Sequence, residues 1–219
     1  MLEDRGAHAE RRGLVASIAA SGAIGVVGIV WGIAVGSQMV LLDGVYAIVG
    51  ILVSVVLLVG SAIAASEPSE RYPFGRESVA PMVIGVQGFV LAATLFYAAA
   101  EGAFTIVDGG SDVAPGWGFA YGAFATVGSL AFWAWIRPRV GASGVLAAEA
   151  AAWGVAAFRG VGMMVGFALM FVLEGSRWDA LVPYVDPAMV IVTSIVFLPT
   201  PLGMIRSTLV ELTEGAPPE

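Results

Sequence analysis

Residues 37–65 read SQMVLLDGVYAIVGILVSVVLLVGSAIAA. At 1.5 Å per residue this run crosses a hydrocarbon core of roughly 30 Å. Its single charged residue is Asp43, near the start. An acid in a membrane span is costly unless it meets protein, water or a counter-ion. What Asp43 faces is therefore the question on which the reading of this chain turns.

The composition places that span among others like it. The chain has 219 residues, 58% of them hydrophobic and only 12% charged, against about 25% charged in a soluble domain. Its mean hydropathy is +0.89. These values indicate a polytopic, all-α membrane protein whose first partner is the lipid bilayer. There is no cysteine, which excludes disulfides, thiolate metal sites and thiol redox chemistry. The single histidine, His8, lies in the polar segment MLEDRGAHAERR and reads as solvated. The apolar run after Arg12 is too long for a signal-peptide core and flows into the next span, so no cleaved leader is expected.

Six spans are predicted. The first covers residues 14–36, with Gly28, Gly32 and Gly36 every four residues. Such a strip lets a neighbouring backbone approach closely. The second is the opening stretch, followed by the polar loop SEPSERYPFGRES. The third runs over about 79–107, the fourth over 116–136 and the fifth over 145–173. In the sixth, Asp186 and Pro187 read as N-cap and first helical residue. That helix is interrupted at Pro199 and Pro201 and resumes as an amphipathic segment. The domain reading is a polar N-terminal tail (1–12), a six-helix membrane domain (13–206) and a short C-terminal tail (207–219).

Arginine placement sets the orientation. Arg5, Arg11, Arg12, Arg71, Arg76, Arg137, Arg139 and Arg206 all fall on one side of a six-span chain, and only Arg177 falls on the other. Both termini are therefore expected in the cytoplasm, in a multi-pass protein of the cell membrane. Trp178 and Tyr184 are placed as interfacial anchors. Walker loops, nucleophile elbows and His-Glu-x-x-His are absent from the sequence, as is any basic stripe. An enzyme and a nucleic-acid binder are accordingly not expected.

Arg159 is the second intramembrane charge. It sits near the middle of the fifth span, where an unpaired arginine costs about 2.5–3.5 kcal/mol on insertion scales. Glu149 lies ten residues earlier on the same helix, at one end of the span, and Trp153 lies one turn after it. Glu149 reads equally as a vestibule ligand or as an acid snorkelling to the interface.

With six spans, internal termini and an early acid in the second span, the chain resembles the cation diffusion facilitator family of divalent-cation/proton antiporters. SQMVLLDGVYAIVG is similar to that family's second span, YPFGRESVAP to its following loop, and AEAAAWGVAAF to its fifth span. The segment YVDPAMVIVTSIVFLPTPLGMIRSTLVEL is similar to its sixth span and exit. The resemblance implies cation efflux by alternating access, a divalent cation such as zinc as substrate, no resident cofactor, and a homodimer.

Of the family's tetrahedral ligand set only Asp43 is matched. Ala47 replaces its partner acid, and Trp153 and Ala157 stand at the fifth-span ligand positions. The family's loop glutamate is matched by Ala80, with Glu77 close by, and only a short tail stands where the cytoplasmic metal-sensing domain would follow. If the family's packing holds, Arg159 lies beside Asp43. Two outcomes are open: a transporter using Asp43 and Glu149 as polar stations, or a non-transporting structural or heteromeric relative in which an Asp43–Arg159 pair replaces the metal site.

Overall fold

In a computed structural model, residues 2–64, 79–140 and 144–213 are described, and they are helical with short connections. The helices are α1 (Leu2–Val35), α2 (Gln38–Ala64), α3 (Val79–Val107), α4 (Pro115–Ile136), α5 (Gly144–Leu173), α6 (Val182–Phe197) and α7 (Pro199–Leu212). Among the described residues five stretches are long and apolar enough to cross a membrane: Arg12–Val35, Pro81–Val107, Pro115–Arg139, Glu149–Leu173 and Asp179–Leu212. In α2, Gln38–Ile51 forms a further apolar stretch, and the whole helix has 27 residues, about 40 Å at 1.5 Å per residue. The loop that contains Glu77 lies outside the described residues.

The chain divides into two compact units. The first comprises Met1–Ile48 and Gly102–Val190, and the second Val49–Glu101 and Ile191–Glu219. Within the second unit α3 packs directly on α7. A Cβ at Gly85 would lie 2.7 Å from Thr208, and one at Gly88 would lie 2.7 Å from the Pro201 carbonyl. Thr208 Oγ1 also donates to the Pro81 carbonyl at 3.0 Å.

In the first unit the glycines of α1 do what a close helix contact requires. A Cβ on Gly28 would lie 2.4 Å from the Tyr121 hydroxyl and 2.9 Å from Gly44, and one on Gly32 would lie 2.5 Å from the Leu41 amide. Gly36 departs from the expected strip. A Cβ there would meet nothing within 4 Å, and the residue sits at φ +69°, the left-handed position that ends a helix. The Ser37 amide reaches back to the Gly32 carbonyl at 3.0 Å to complete that turn.

The polar segment before the first span is helical and continuous with α1, which starts at Leu2. One further expectation is corrected. Asp186 is not an N-cap, because α6 starts at Val182 and Pro187 lies inside it. Proline lacks the N–H that would bond the carbonyl four residues back, here that of Pro183. That carbonyl instead accepts the Ser111 amide at 2.8 Å and the Ser111 hydroxyl at 3.3 Å. With the lost bond replaced from the α3–α4 connection, the helix runs through the proline. Asp186 is thereby released to cap another helix, α2: its carboxylate accepts Ser37 Oγ at 2.7 Å, the Gln38 amide at 2.9 Å and the Met39 amide at 3.4 Å.

Candidate functional site

Asp43 lies five residues after the start of α2, next to the close α1–α2 crossing at Gly28 and Gly44. Its residue is only 6% exposed. Both carboxylate oxygens are engaged. Arg159 Nε of α5 meets Oδ1 at 2.7 Å, and the Tyr121 hydroxyl of α4 donates to Oδ2 at 2.9 Å. The glycine at position 28 is what admits that hydroxyl, since any side chain there would overlap it.

The guanidinium has a second neighbour. Arg159 Cζ lies 5.2 Å from the ring centroid of Tyr46, three residues after Asp43 on α2, a cation–π distance. Tyr121 is fully buried and abuts Trp31 with ring centroids 6.1 Å apart. The site is thus a neutral, hydrogen-bonded ion pair walled by aromatic rings. Removing one partner of such a pair leaves the other buried and uncompensated.

A second polar group lies on the same helix. Glu149 and Trp153, one turn apart on α5, both meet Ser17 of α1. Trp153 Nε1 donates to Ser17 Oγ at 2.8 Å, and Ser17 Oγ donates to Glu149 Oε2 at 2.5 Å. The directions are fixed because an indole N–H can only donate. The serine's own proton is then left for the carboxylate. Trp153 also stacks on Phe132 of α4, centroids 4.3 Å apart and planes at 30°. Glu149 and Arg159, ten residues apart, are separated by about 15 Å along α5.

Of the residues singled out in the sequence, Asp43 and Arg159 are brought together. Trp153 and Glu149 join each other through Ser17, at a level of α5 about 9–15 Å from Arg159. Glu77 lies outside the described residues. Sequence reasoning missed Tyr121, Tyr46 and Ser17. The available signal was a hydroxyl in an apolar span, which must find a partner, but periodicity does not say which one.

The donor set can be tested against a metal ion. A zinc site draws three or four N, O or S ligands from protein. Among the described residues no group of three or more His, Cys, Asp or Glu is assembled. Asp43 has Ala47 one turn on, and both its oxygens already carry donors. The residues present do not fit a tetrahedral dication site while the pair is closed.

A family model described as the cation efflux transmembrane domain matches residues 14–213. The chain belongs to the cation efflux family. The match takes in the described residues of both units except the first turns of α1. No curated protein matches the chain. Cation efflux proteins are membrane transporters rather than enzymes, and the chain is a multi-pass membrane protein of this transporter type.

Proposed function

We propose that this cation efflux-type protein moves a cation by alternating access through Asp43, and that Arg159 is a tethered counter-ion which the entering cation displaces. The contact between Arg159 and Asp43 at 2.7 Å carries this reading. Asp43 is the one matched ligand of the family pattern, and the position a bound cation would take is filled by the chain's own cation. Withdrawal of the guanidinium frees Oδ1, while Oδ2 keeps the Tyr121 hydroxyl. The Tyr46 face offers the guanidinium a place to rest without leaving the site. Because the guanidinium stays tethered in the site, an entering cation adds its own charge there, and repulsion in low dielectric limits the charge it can carry.

The cargo implied by the family pattern is a divalent ion such as zinc. Such an ion would add a positive charge beside a guanidinium that stays tethered, so Arg159 sets a cost for it. Flux in proteoliposomes, measured with zinc, other dications and monovalent cations, tests the proposal. Wild type is expected to exceed Asp43→Ala for at least one ion, with Asp43→Ala at background.

A second reading is favoured by the shortage of ligands: a non-transporting relative that keeps the fold as a structural or heteromeric partner. Equal background rates for wild type and Asp43→Ala with every ion would reject transport in favour of this reading. We also infer that both termini face the cytoplasm of a cell membrane, from the eight-to-one arginine split, and that the protein works as a homodimer without catalysing a reaction. Protease protection of tags placed at each end, and cross-linking in membranes, test these inferences.

A further inference from the structure

We propose that Ser17, Glu149 and Trp153 form a latch that closes the Asp43 site toward the N-terminal end of α1. The inference rests on the reading of Asp43 as a transport station. The three side chains join α1 to α5 by two hydrogen bonds, Trp153 Nε1 to Ser17 Oγ at 2.8 Å and Ser17 Oγ to Glu149 Oε2 at 2.5 Å. Phe132 brings in α4 by stacking on the indole. All three helices are thus tied at one level, about 9–15 Å along α5 from Arg159.

The level is sealed by its surroundings. Ser17 is 4% and Trp153 5% exposed. Beyond them, Ile136, Leu146 and Ala150 form a buried apolar cluster against which Phe132 packs. Leu146 approaches Gly13 so closely that a Cβ there would lie 2.7 Å from it. An ion or water crossing this level meets an indole plane and aliphatic side chains, and the polar atoms present are already bonded to one another.

The closure is also of a kind that can open. A seal made only of interlocked aliphatic groups would have to be unpacked. Here a single serine hydroxyl holds both contacts, and rotation of its Cα–Cβ bond breaks them together. The half-buried Glu149 carboxylate is the group on which a cation arriving from that end would first draw, in competition with the serine proton. Capture of the ion and release of Trp153 would then be one event.

The absence of cysteine makes accessibility the direct test. Ala157 is buried one turn beyond Trp153 on α5. Ala157→Cys in the full-length protein in detergent is expected to react slowly with a water-soluble methanethiosulfonate. Adding Trp153→Ala should speed the reaction at least tenfold. Ser17→Ala and Trp153→Phe, which break the hydrogen bond but keep the ring, should each speed it by a smaller, similar factor. Met170→Cys, buried at the far end of α5, should stay slow in every background. Unchanged labelling at position 157 would overturn the latch, and so would equal acceleration at position 170, which would mean general loosening. Labelling does not depend on transport, so absence of flux would sink the transport reading while leaving this measurement to decide the closure.

Discussion

Asp43 and Asp186 are both buried acids of the same unit, 6% and 0% exposed, yet their charges are met in opposite ways. Asp186 is held by the start of α2: one serine hydroxyl and two backbone amides converge on it, where the helix dipole also favours an anion. Backbone donors cannot withdraw unless the helix melts. Asp43 is held by the ends of two side chains, a guanidinium and a phenol, and the flexible, partly exposed arginine can leave by changing rotamer. The first arrangement is a fixed support, and the second is an exchangeable one. Asp186 of α6 holds the start of α2 and Asp43 lies about one turn further along that helix, so Asp186 fixes the end of α2 from which Asp43 is positioned.

The contrast can be broken most directly at Arg159. Arg159→Ala should lower unfolding stability in detergent by about 3–5 kcal/mol, the usual cost of stranding a buried charge. Asp43→Leu added to Arg159→Met should recover most of that loss. If Arg159→Ala unfolds like wild type, Asp43 does not depend on its partner and the contrast disappears.

Next in size, Asp186→Ala should cost about 2–4 kcal/mol, because it leaves three donors without an acceptor. Ser37→Ala added to it should cost little more, since the two act as one cap. The same thermal unfolding measurement reads both. Asp186→Asn should shift the melting temperature but leave the ratio of ion fluxes unchanged, whereas Arg159→Gln should change that ratio; a selectivity change in Asp186→Asn would erase the distinction between support and station.

Smaller effects sharpen the picture. Tyr121→Phe should cost about 1–2 kcal/mol for one lost bond to a charged acceptor, with Asp43→Asn shrinking that cost in a double-mutant cycle. Tyr46→Leu should cost about 0.5–1 kcal/mol, the value of a partly exposed cation–π contact.

Much of this was legible from residue order. Third-span boundaries at 79–107 coincide with α3, and those of the fourth and fifth spans differ from α4 and α5 by one residue at the start. Long apolar runs allow little else, because lipid offers backbone groups no partner outside a helix. The break before Pro199 was equally plain, since proline starts helices more readily than it continues them. At Asp186 the same rules misled. Capping propensity placed a helix start there, but Ser111 supplied the donor that Pro187 lacks, and the helix began a turn earlier. Gly36 matched a packing period by spacing alone, while its backbone does the work of a helix end.

By itself, then, the sequence determined a helical membrane protein of the cation efflux type, and it marked Asp43 and Arg159 as charges that lipid would not tolerate alone. Which atoms answer those charges was decided only by tertiary structure. Tyr121, Ser17 and Ser37 become partners of Asp43, Glu149 and Asp186 across more than seventy residues of chain or more. The physical reason is that hydropathy measures how each residue meets lipid, whereas a hydrogen bond depends on the rotation and depth of two helices packed together.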